Sequence, residues 1–180
     1  MSEGAAGGLL FLISLGMGIS AQSSGRWSDR IGTRPFAITG LALLAATGLA
    51  MGFMTASTNT WLLAVVVFIS GLANGMWNVP NNSTILGSVP PADLGVIGAF
   101  TNLTRTLGNV FGQALAATVV VGVMVSQGFD IPLKDIDDLP GADSAFTDGW
   151  RVAHFLLTGY ALAALALAVR TKPAEINAER

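Results

Sequence analysis

The chain has 180 residues, of which 52% are hydrophobic and 11% are charged, and its formal net charge is −2. Because a soluble domain carries about a quarter charged residues, this composition favours lipid as the surrounding solvent. No basic face is available to neutralise phosphates, which excludes a nucleic-acid partner. The chain has no cysteine and a single histidine, His154, so no metal site is expected.

Five apolar segments of membrane-spanning length fill most of the chain. Because a bilayer core about 30 Å thick is crossed by roughly 20 helical residues, each segment is long enough to span it. The apolar runs predict helices over 4–22, 36–54, 61–86, 94–126 and 150–170. The sequence therefore predicts an all-α fold, a polytopic membrane helix bundle with five transmembrane helices, forming a single membrane domain over residues 1–180.

The connection after the first predicted helix, over residues 23–35, reads GRWSDRIGTRP from Gly25 onward. A sharp reversal at the membrane surface needs glycine where the backbone bends, and Gly25 and Gly32 bracket this one. Asp29 can accept hydrogen bonds from the first amides of the next helix or pair with a nearby arginine such as Arg30, and such contacts can latch one conformation. The alternative is a short positively charged loop with no switching role.

Polar residues mark one face of the third predicted helix. Ser70, Asn74, Asn78 and Asn81 recur at steps of four, four and three, which places them along one side of a helix. Pro80 is expected to open the helix near Asn78, a break that is tolerated where a helix lines a cavity. We therefore expect this face to line a cavity, with hydrogen bonding between helices as the alternative.

The fourth predicted helix carries a second polar face. Its members, at steps of three or four, are Asn102, Arg105, Asn109 and Gln113. An arginine at the bilayer centre costs roughly 2.5–3.5 kcal/mol on insertion scales, so an arginine at that depth is a functional candidate. If the helix starts near Leu94, Arg105 lies up to about 16 Å deep, whereas a start at Thr106 leaves it at the interface. The sequence leaves both depths open.

The third and fourth predicted helices each also contain a pair of glycines four residues apart. Gly71 and Gly75, and likewise Gly108 and Gly112, have the spacing that lets two helices approach closely. Helix packing is the predicted role of both pairs. Sliding between helices during transport is the alternative.

The charges of the connections predict the orientation in the membrane. Residues 23–35 hold three arginines, and the tail after the last helix holds Arg170, Lys172 and Arg180, so both are expected to be cytoplasmic. The connection over 127–148 holds six aspartates and one lysine, and is predicted to be an irregular acidic loop on the outer side. The N-terminus then starts outside without a targeting signal, which suggests a truncated chain.

The first connection resembles a known signature. The pattern G-x-x-S-D-R-x-G-x-R, from Gly25 to Arg34, is similar to the inner-loop signature of the major facilitator superfamily, with Trp27 where leucine is usual. A later set of positions resembles the late helices of the fourteen-helix drug:proton antiporter branch of that family. This set runs from Gly71 to Pro80 and continues through Val89, Pro90, Gly95, Gly98, Arg105, Gly108 and Gly112.

The resemblance implies an architecture larger than this chain. The five spans would correspond to the last five helices of a twelve-helix core, with seven core helices missing. The first, third and fourth spans would line a central path, and the second and fifth would lie outside it. The family's proton-coupling acidic residues lie largely in the missing half, so no residue here takes that role.

The predicted function is transmembrane transport, by proton-coupled export of amphipathic or drug-like small molecules. The expected partners are the lipid bilayer of the plasma membrane, a small-molecule substrate, protons and the missing N-terminal helices. The substrate cavity is expected to comprise Ser70, Asn74, Asn78, Asn81, Asn102, Arg105, Asn109 and Gln113. The gating loop is expected to comprise Gly25, Asp29, Arg30, Gly32 and Arg34, and the helix-packing positions Gly71, Gly75, Gly108 and Gly112.

Two other classes of protein compete with this interpretation. A nontransporting membrane remnant, or a subunit that packs its glycine faces against a partner, is the first, because alternating access needs a second half that five helices lack. An intramembrane enzyme is the second, and it would need paired acids, a Ser/His/Asp set or metal ligands in one site. The sequence lacks such a set, so neither enzyme activity nor a cofactor is expected.

Overall fold

The computed structural model describes residues 3–55, 57–130 and 139–170, and these form a bundle of five long helices. The helices are α1 (Glu3–Ile31), α2 (Arg34–Gly52), α3 (Thr60–Gly87), α4 (Leu94–Ser126) and α5 (Ala142–Arg170). A single 3-10 turn, Pro91–Asp93, precedes α4. All five helices are long and apolar enough to cross a membrane, which confirms the predicted all-α membrane bundle.

Side-chain contacts show which helix ends lie together. Arg34 at the start of α2 donates to the carbonyl of Val169 at the end of α5 (2.8 Å). Arg151 near the start of α5 donates to the carbonyl of Gly52 at the end of α2 (3.1 Å). We call the first end, with the α1–α2 turn and the α3–α4 connection, the arginine end. The other, where α2 and α4 end and α3 and α5 begin, is the aspartate end.

The tightest packing in the bundle joins α1 to α3. Small residues recur at every fourth position along α1: Gly16, Ser20, Ser24 and Ser28. A Cβ atom on Gly71 would collide with the backbone of Ile13, and one on Gly75 with the Ser20 hydroxyl. Ser24 also donates to the carbonyl of Gly75 across the interface (3.4 Å). Small side chains on both helices therefore allow the backbones to approach closely.

The first helix is longer than the sequence predicts. It continues through Ile31, so the predicted connection over 23–35 shrinks to a turn at Gly32 and Thr33. Gly32 adopts a φ of +90°, which glycine tolerates, whereas Gly25 lies within the helix, so its predicted role in the bend is wrong. The cause is tertiary: the small face of α1 stays packed on α3, where Ser24 and Ser28 are buried.

The last helix also starts earlier than predicted. Residues 142–148, assigned to the acidic loop, form the first turns of α5, because Ala142 and Ala145 are fully buried. Asp143 suits this position, since an acidic residue in the first turn complements the helix dipole. Residues 131–138 of that loop, and the tail over 171–180 with Lys172 and Arg180, lie outside the described residues.

The remaining helix ends lie close to their predicted positions. α3 runs through Pro80 without a break, and the Thr84 hydroxyl donates to the Pro80 carbonyl (2.9 Å). The expected opening of the helix near Asn78 is therefore wrong. α4 starts at Leu94, the earlier of the two starts considered, so Arg105 lies about 16 Å along the helix axis from that start, at 1.5 Å per residue.

Candidate functional site

A short relay of hydrogen bonds joins α4 to α3 toward the arginine end. An Arg105 guanidinium nitrogen donates to Asn82 Oδ1 (2.9 Å), and Asn82 Nδ2 donates to Asn78 Oδ1 (2.9 Å). Asn78 and Asn82 share a face of α3 because they are one helical turn apart. In the described part of the chain this relay holds the one side-chain hydrogen bond between α3 and α4.

The direction of the relay follows from the chemistry of arginine. A guanidinium group only donates, so Asn82 must turn its amide oxygen toward Arg105 and its amide nitrogen toward Asn78. Asn78 then accepts with its oxygen and keeps its own amide nitrogen as a donor. Among the described residues no acceptor pairs with that nitrogen. Unused N–H donors therefore remain on Arg105 at one end of the relay and on Asn78 at the other.

The relay borders an open cavity of about 190 Å³ between α3 and α4, which we call the arginine cavity. Its lining consists of Asn82, Leu86, Gly98, Thr101, Asn102 and Arg105. Arg105 supplies the charge of this lining, and none of these six residues is acidic. The ion pair formed by the described residues, Arg151 with Asp148 at 3.6 Å, lies at the aspartate end. No carboxylate in the described chain therefore neutralises Arg105.

The predicted cavity residues do not all meet in one place. Asn102 and Arg105 line the arginine cavity, and Asn78 joins it through the relay. Four others line neither cavity described here: Asn74, Asn81, Asn109 and Gln113. Asn109 and Gln113 continue the Arg105 side of α4 toward the aspartate end, where both are exposed. The described residues alone therefore do not bring the two polar faces together in one cavity.

Ser70 lies in a second cavity, which we call the aspartate-end cavity. It has a volume of about 600 Å³ and lies between α1, α3, the end of α2 and the start of α5. Its lining is mainly apolar, with Ile13, Leu63 and Trp150 among its residues and hydroxyl groups from several threonines. The polar face of α3 is thus shared between two cavities near opposite ends of the bundle.

Asn82 is the site residue that sequence reasoning missed. The predicted polar face continues from Asn78 through Asn81 and so leaves Asn82 out. A regular signal was present, since Ser70, Asn74, Asn78 and Asn82 follow one another at steps of four. The choice between two adjacent asparagines depended on where α4 lies, which the sequence of α3 does not contain.

The predicted gating residues divide into a packed group and an exposed group. Gly32 forms the turn and Arg34 donates to the last turn of α5. The neighbouring Thr33, which is not among the predicted residues, shares a hydrogen bond between its hydroxyl and that of Thr84 of α3 (2.9 Å). The final carbonyls of a helix lack helical partners, so Arg34 satisfies one of them. Asp29 and Arg30 instead lie exposed on α1.

The contacts expected of Asp29 are not formed among the described residues. It pairs with no arginine there, and the helix start after Thr33 receives no side-chain cap. The reason is the helical extension of α1: Ser24 and Ser28 occupy the face against α3, which directs Asp29 away from the bundle. The latch expected of Asp29 is absent from this conformation.

The four predicted packing glycines also fall into a packed pair and an exposed pair. Gly71 and Gly75 lie against α1, whereas a Cβ atom on Gly108 or Gly112 would have no neighbour within 4 Å. The packing predicted for the second pair is therefore not found within the described chain. Sequence reasoning missed Gly149, whose Cβ would come within 2.8 Å of the Val120 carbonyl oxygen where α4 and α5 cross.

Comparison with known proteins identifies a family. The family profile of the Major Facilitator Superfamily matches residues 1–179. The riboflavin transporter RibZ of Clostridioides difficile is 31% identical over 109 residues, which are 61% of this chain and 24% of that protein. A phosphoglycerate transporter protein of Salmonella typhimurium is 32% identical over 97 residues, 54% of this chain and 20% of that protein.

A third relative carries a different name. The multidrug resistance protein MdtH of Cronobacter sakazakii is 30% identical over 116 residues, 63% of this chain and 27% of that protein. The matched part of the chain thus spans about a quarter of the length of these curated relatives. No solved structure matches the chain.

Proposed function

Since this chain belongs to the major facilitator superfamily, we propose that it supplies the last five core helices of a plasma-membrane transporter that exports amphipathic small molecules in exchange for protons. The chain is a five-helix membrane bundle of a transporter family, which fits this role. The names of these relatives refer to riboflavin, phosphoglycerate or multidrug resistance. Transport is common to the family, so the choice of drug-like molecules as the exported substrates is what this proposal adds.

The observation that carries the proposal is the arginine cavity with its relay. Arg105, Asn82 and Asn78 form a polar surface on helices that are otherwise apolar. Polar and charged groups at membrane depth are costly, and they mark substrate paths in transporters. The arginine side of α4 is exposed, so this surface is open to a ligand or to a second bundle of helices.

The proposed orientation places the arginine end in the cytoplasm. Arg26, Arg30, Arg34 and Arg170 all lie at that end, as retention of positive charge on the cytoplasmic side requires. Thr33 and Arg34 bind the α1–α2 turn to α3 and α5, so the turn moves together with those helices. Asp29 and Arg30 are left exposed, where a charged group of the missing helices would form the gate.

The second candidate function is a subunit that assembles with other helices without transporting. The exposed Gly108 and Gly112 on α4 favour it, because a close-packing spacing without a neighbour in this chain fits a partner helix. The two functions differ in what the assembled partner contributes. In the transporter it is the preceding seven helices, and in the subunit it is another protein.

A dye-efflux assay in energised cells tests the proposed function. The chain is expressed alone and joined to the sequence encoded upstream of it, each with native Arg105 and with Arg105→Ala. We expect efflux from the joined form, its loss on collapse of the proton gradient, and its reduction by Arg105→Ala. Arg26→Ala, which removes an exposed charge from α1, is the matched control and should transport normally.

Three results would contradict parts of this proposal. Efflux by the 180-residue chain alone would show that it is not one half of a transport unit. A joined form that reaches the membrane without efflux would favour the assembly subunit. Efflux that is insensitive to the proton gradient would leave transport in place and remove proton coupling.

A further inference from the structure

We infer that the arginine cavity selects molecules that carry an anionic oxygen group, a carboxylate or a phosphate. This inference rests on the proposed function, since it names the substrate class of the same site. It also narrows that function, because drug-like substrates include cations and neutral molecules. Its basis is the charge of the cavity, the direction of the relay and the composition of the walls.

The charge of the cavity is uncompensated within the described chain. Arg105 keeps its positive charge in proteins, and the lining around it supplies no carboxylate. Asp93, the acid of the α3–α4 connection, lies about 18 Å away along the helix axis at 1.5 Å per residue. Charges at that distance are largely screened where water reaches them. An anion in the cavity would supply the missing partner.

Arg105, the charged end of the relay, leaves N–H donors for a ligand in the cavity. A guanidinium group has five N–H donors, and one of the Arg105 nitrogens is used toward Asn82. The donor end of Asn82 is in turn used toward Asn78, which leaves the Asn78 amide nitrogen free among the described residues. The other polar groups of the lining are neutral: the Thr101 hydroxyl donates to the Ile97 carbonyl, and the Asn102 amide can donate or accept.

The same lining disfavours a cation. It would be repelled by Arg105 and would find no carboxylate in the lining to offset its loss of hydration. A carboxylate or phosphate can instead take two parallel N–H bonds from a guanidinium fork. Leu86 and Gly98 provide an apolar surface beside Arg105 for the organic part of the molecule.

Benzoate and benzamide provide a direct test, because they have nearly the same shape and differ in charge. The purified chain in an uncharged detergent is heated with increasing concentrations of each. Benzoate is expected to raise Tm with the logarithm of its concentration, by roughly 5–10 °C at about 100 times its Kd, whereas benzamide leaves Tm unchanged. Inorganic phosphate is a second anionic probe and should compete with benzoate.

Three substitutions locate the effect. Arg105→Gln should weaken benzoate binding roughly 10- to 100-fold, the contribution of a charge-assisted hydrogen bond. Arg105→Lys keeps the charge but loses the fork, so it should retain part of the binding. Arg26→Gln removes one positive charge from the exposed side of α1 and should bind benzoate like the native chain. Arg105 is exposed, so its substitution is not expected to unfold the bundle.

The outcomes separate this inference from the proposed function. Equal stabilisation by benzamide, or benzoate binding that survives Arg105→Gln, would overturn the inference. Efflux of cationic dyes by the joined form, with no effect of benzoate on it, would also overturn the inference while leaving transport intact. Benzoate binding that depends on Arg105, in a protein whose joined form exports nothing, would support the inference and overturn transport.

Discussion

The two parts of α4 differ in composition and in surroundings: the first carries the polar face and is exposed, whereas the second is apolar and packed. Toward the aspartate end, Val120 and Met124 are buried against Ala145 and Ala153 of α5. From Leu94 to Thr118, most side chains are exposed, and the relay from Arg105 is the side-chain hydrogen bond to α3 in the described chain. The difference shows that α4 packs where α5 offers the small residues Ala145, Gly149 and Ala153.

The unequal packing of its two parts predicts how α4 moves. A helix that is packed at one end and joined by a single relay at the other is expected to pivot about the packed end. The pivot would open or close the arginine cavity, because α4 supplies most of its lining. Substitutions in the two parts of α4, and at the contacts that hold the neighbouring helices, should therefore have unequal effects.

The largest effect is expected for Met124→Ala. Met124 of α4 is fully buried against α5. Truncation of a buried methionine leaves a cavity that lowers the free energy of unfolding by about 3 kcal/mol. Thermal or denaturant unfolding in detergent measures the loss. Phe111→Ala in the exposed part of the same helix is the control, since Phe111 is 70% exposed, and it should cost far less. Equal losses would refute the division of α4 into two parts.

Gly149→Ala should have the next largest effect. The added Cβ would come within 2.8 Å of the Val120 carbonyl oxygen, and overpacking of this kind costs about 2 kcal/mol. Gly159→Ala on the same helix has no neighbour within 4 Å and should be neutral or stabilising, because alanine favours helix. The same unfolding measurement compares them. A neutral Gly149→Ala would mean that the crossing of α4 and α5 is not close.

Arg34→Ala tests whether the hydrogen bond between α2 and α5 stabilises the arginine end. The substitution removes the hydrogen bond to the Val169 carbonyl and is expected to cost about 1 kcal/mol. Arg30→Ala, at an exposed position of α1 in the same signature, should change the unfolding free energy by less than half as much. If Arg30→Ala were the more harmful of the two, the exposed charges would already bind in this chain, contrary to the structure.

Asn82→Leu should have the smallest effect on stability and a clear effect on movement. Loss of the relay costs about 0.6 kcal/mol, the average for hydrogen bonds between membrane helices. The chain has no cysteine, so spin labels can be attached at Leu86→Cys and Phe100→Cys, and separately at Val125→Cys and Val152→Cys.

The distance distribution between labels is expected to be broader for the first pair and to broaden further with Asn82→Leu. The second pair, next to the packed end of α4, should be narrow and insensitive to Asn82→Leu. Equal widths for both pairs would refute the pivot.

The helices were predicted well where burial in lipid alone decides the structure. α4 runs from Leu94 to Ser126, as its apolar run indicates, because a long apolar segment satisfies its backbone only as a helix in a bilayer. The prediction was wrong for residues 23–31 and 142–148, which are polar. Their helical state depends on neighbours, namely α3 for the end of α1 and α4 for the start of α5.

The candidate site shows the same limit. Asn102 and Arg105 were identified because a polar face on an apolar helix is visible in the sequence. The partnership of Arg105 with Asn82 was not, since periodicity gives the face of one helix and not the rotation of its neighbour. Of the eight predicted cavity residues, Asn102 and Arg105 line the arginine cavity and Asn78 joins it through Asn82, which the predicted set does not include.

The sequence by itself determined that this protein is a membrane bundle of five helices, that two of them carry polar faces, and that it resembles the family to which it belongs. Those properties follow from composition and period, which each segment carries alone. Only the tertiary structure decided that α1 continues to Ile31, that Gly149 rather than Gly108 packs, and that Arg105 binds Asn82. These depend on the positions of two helices relative to each other, and in lipid those positions are set by close contacts that local sequence does not encode.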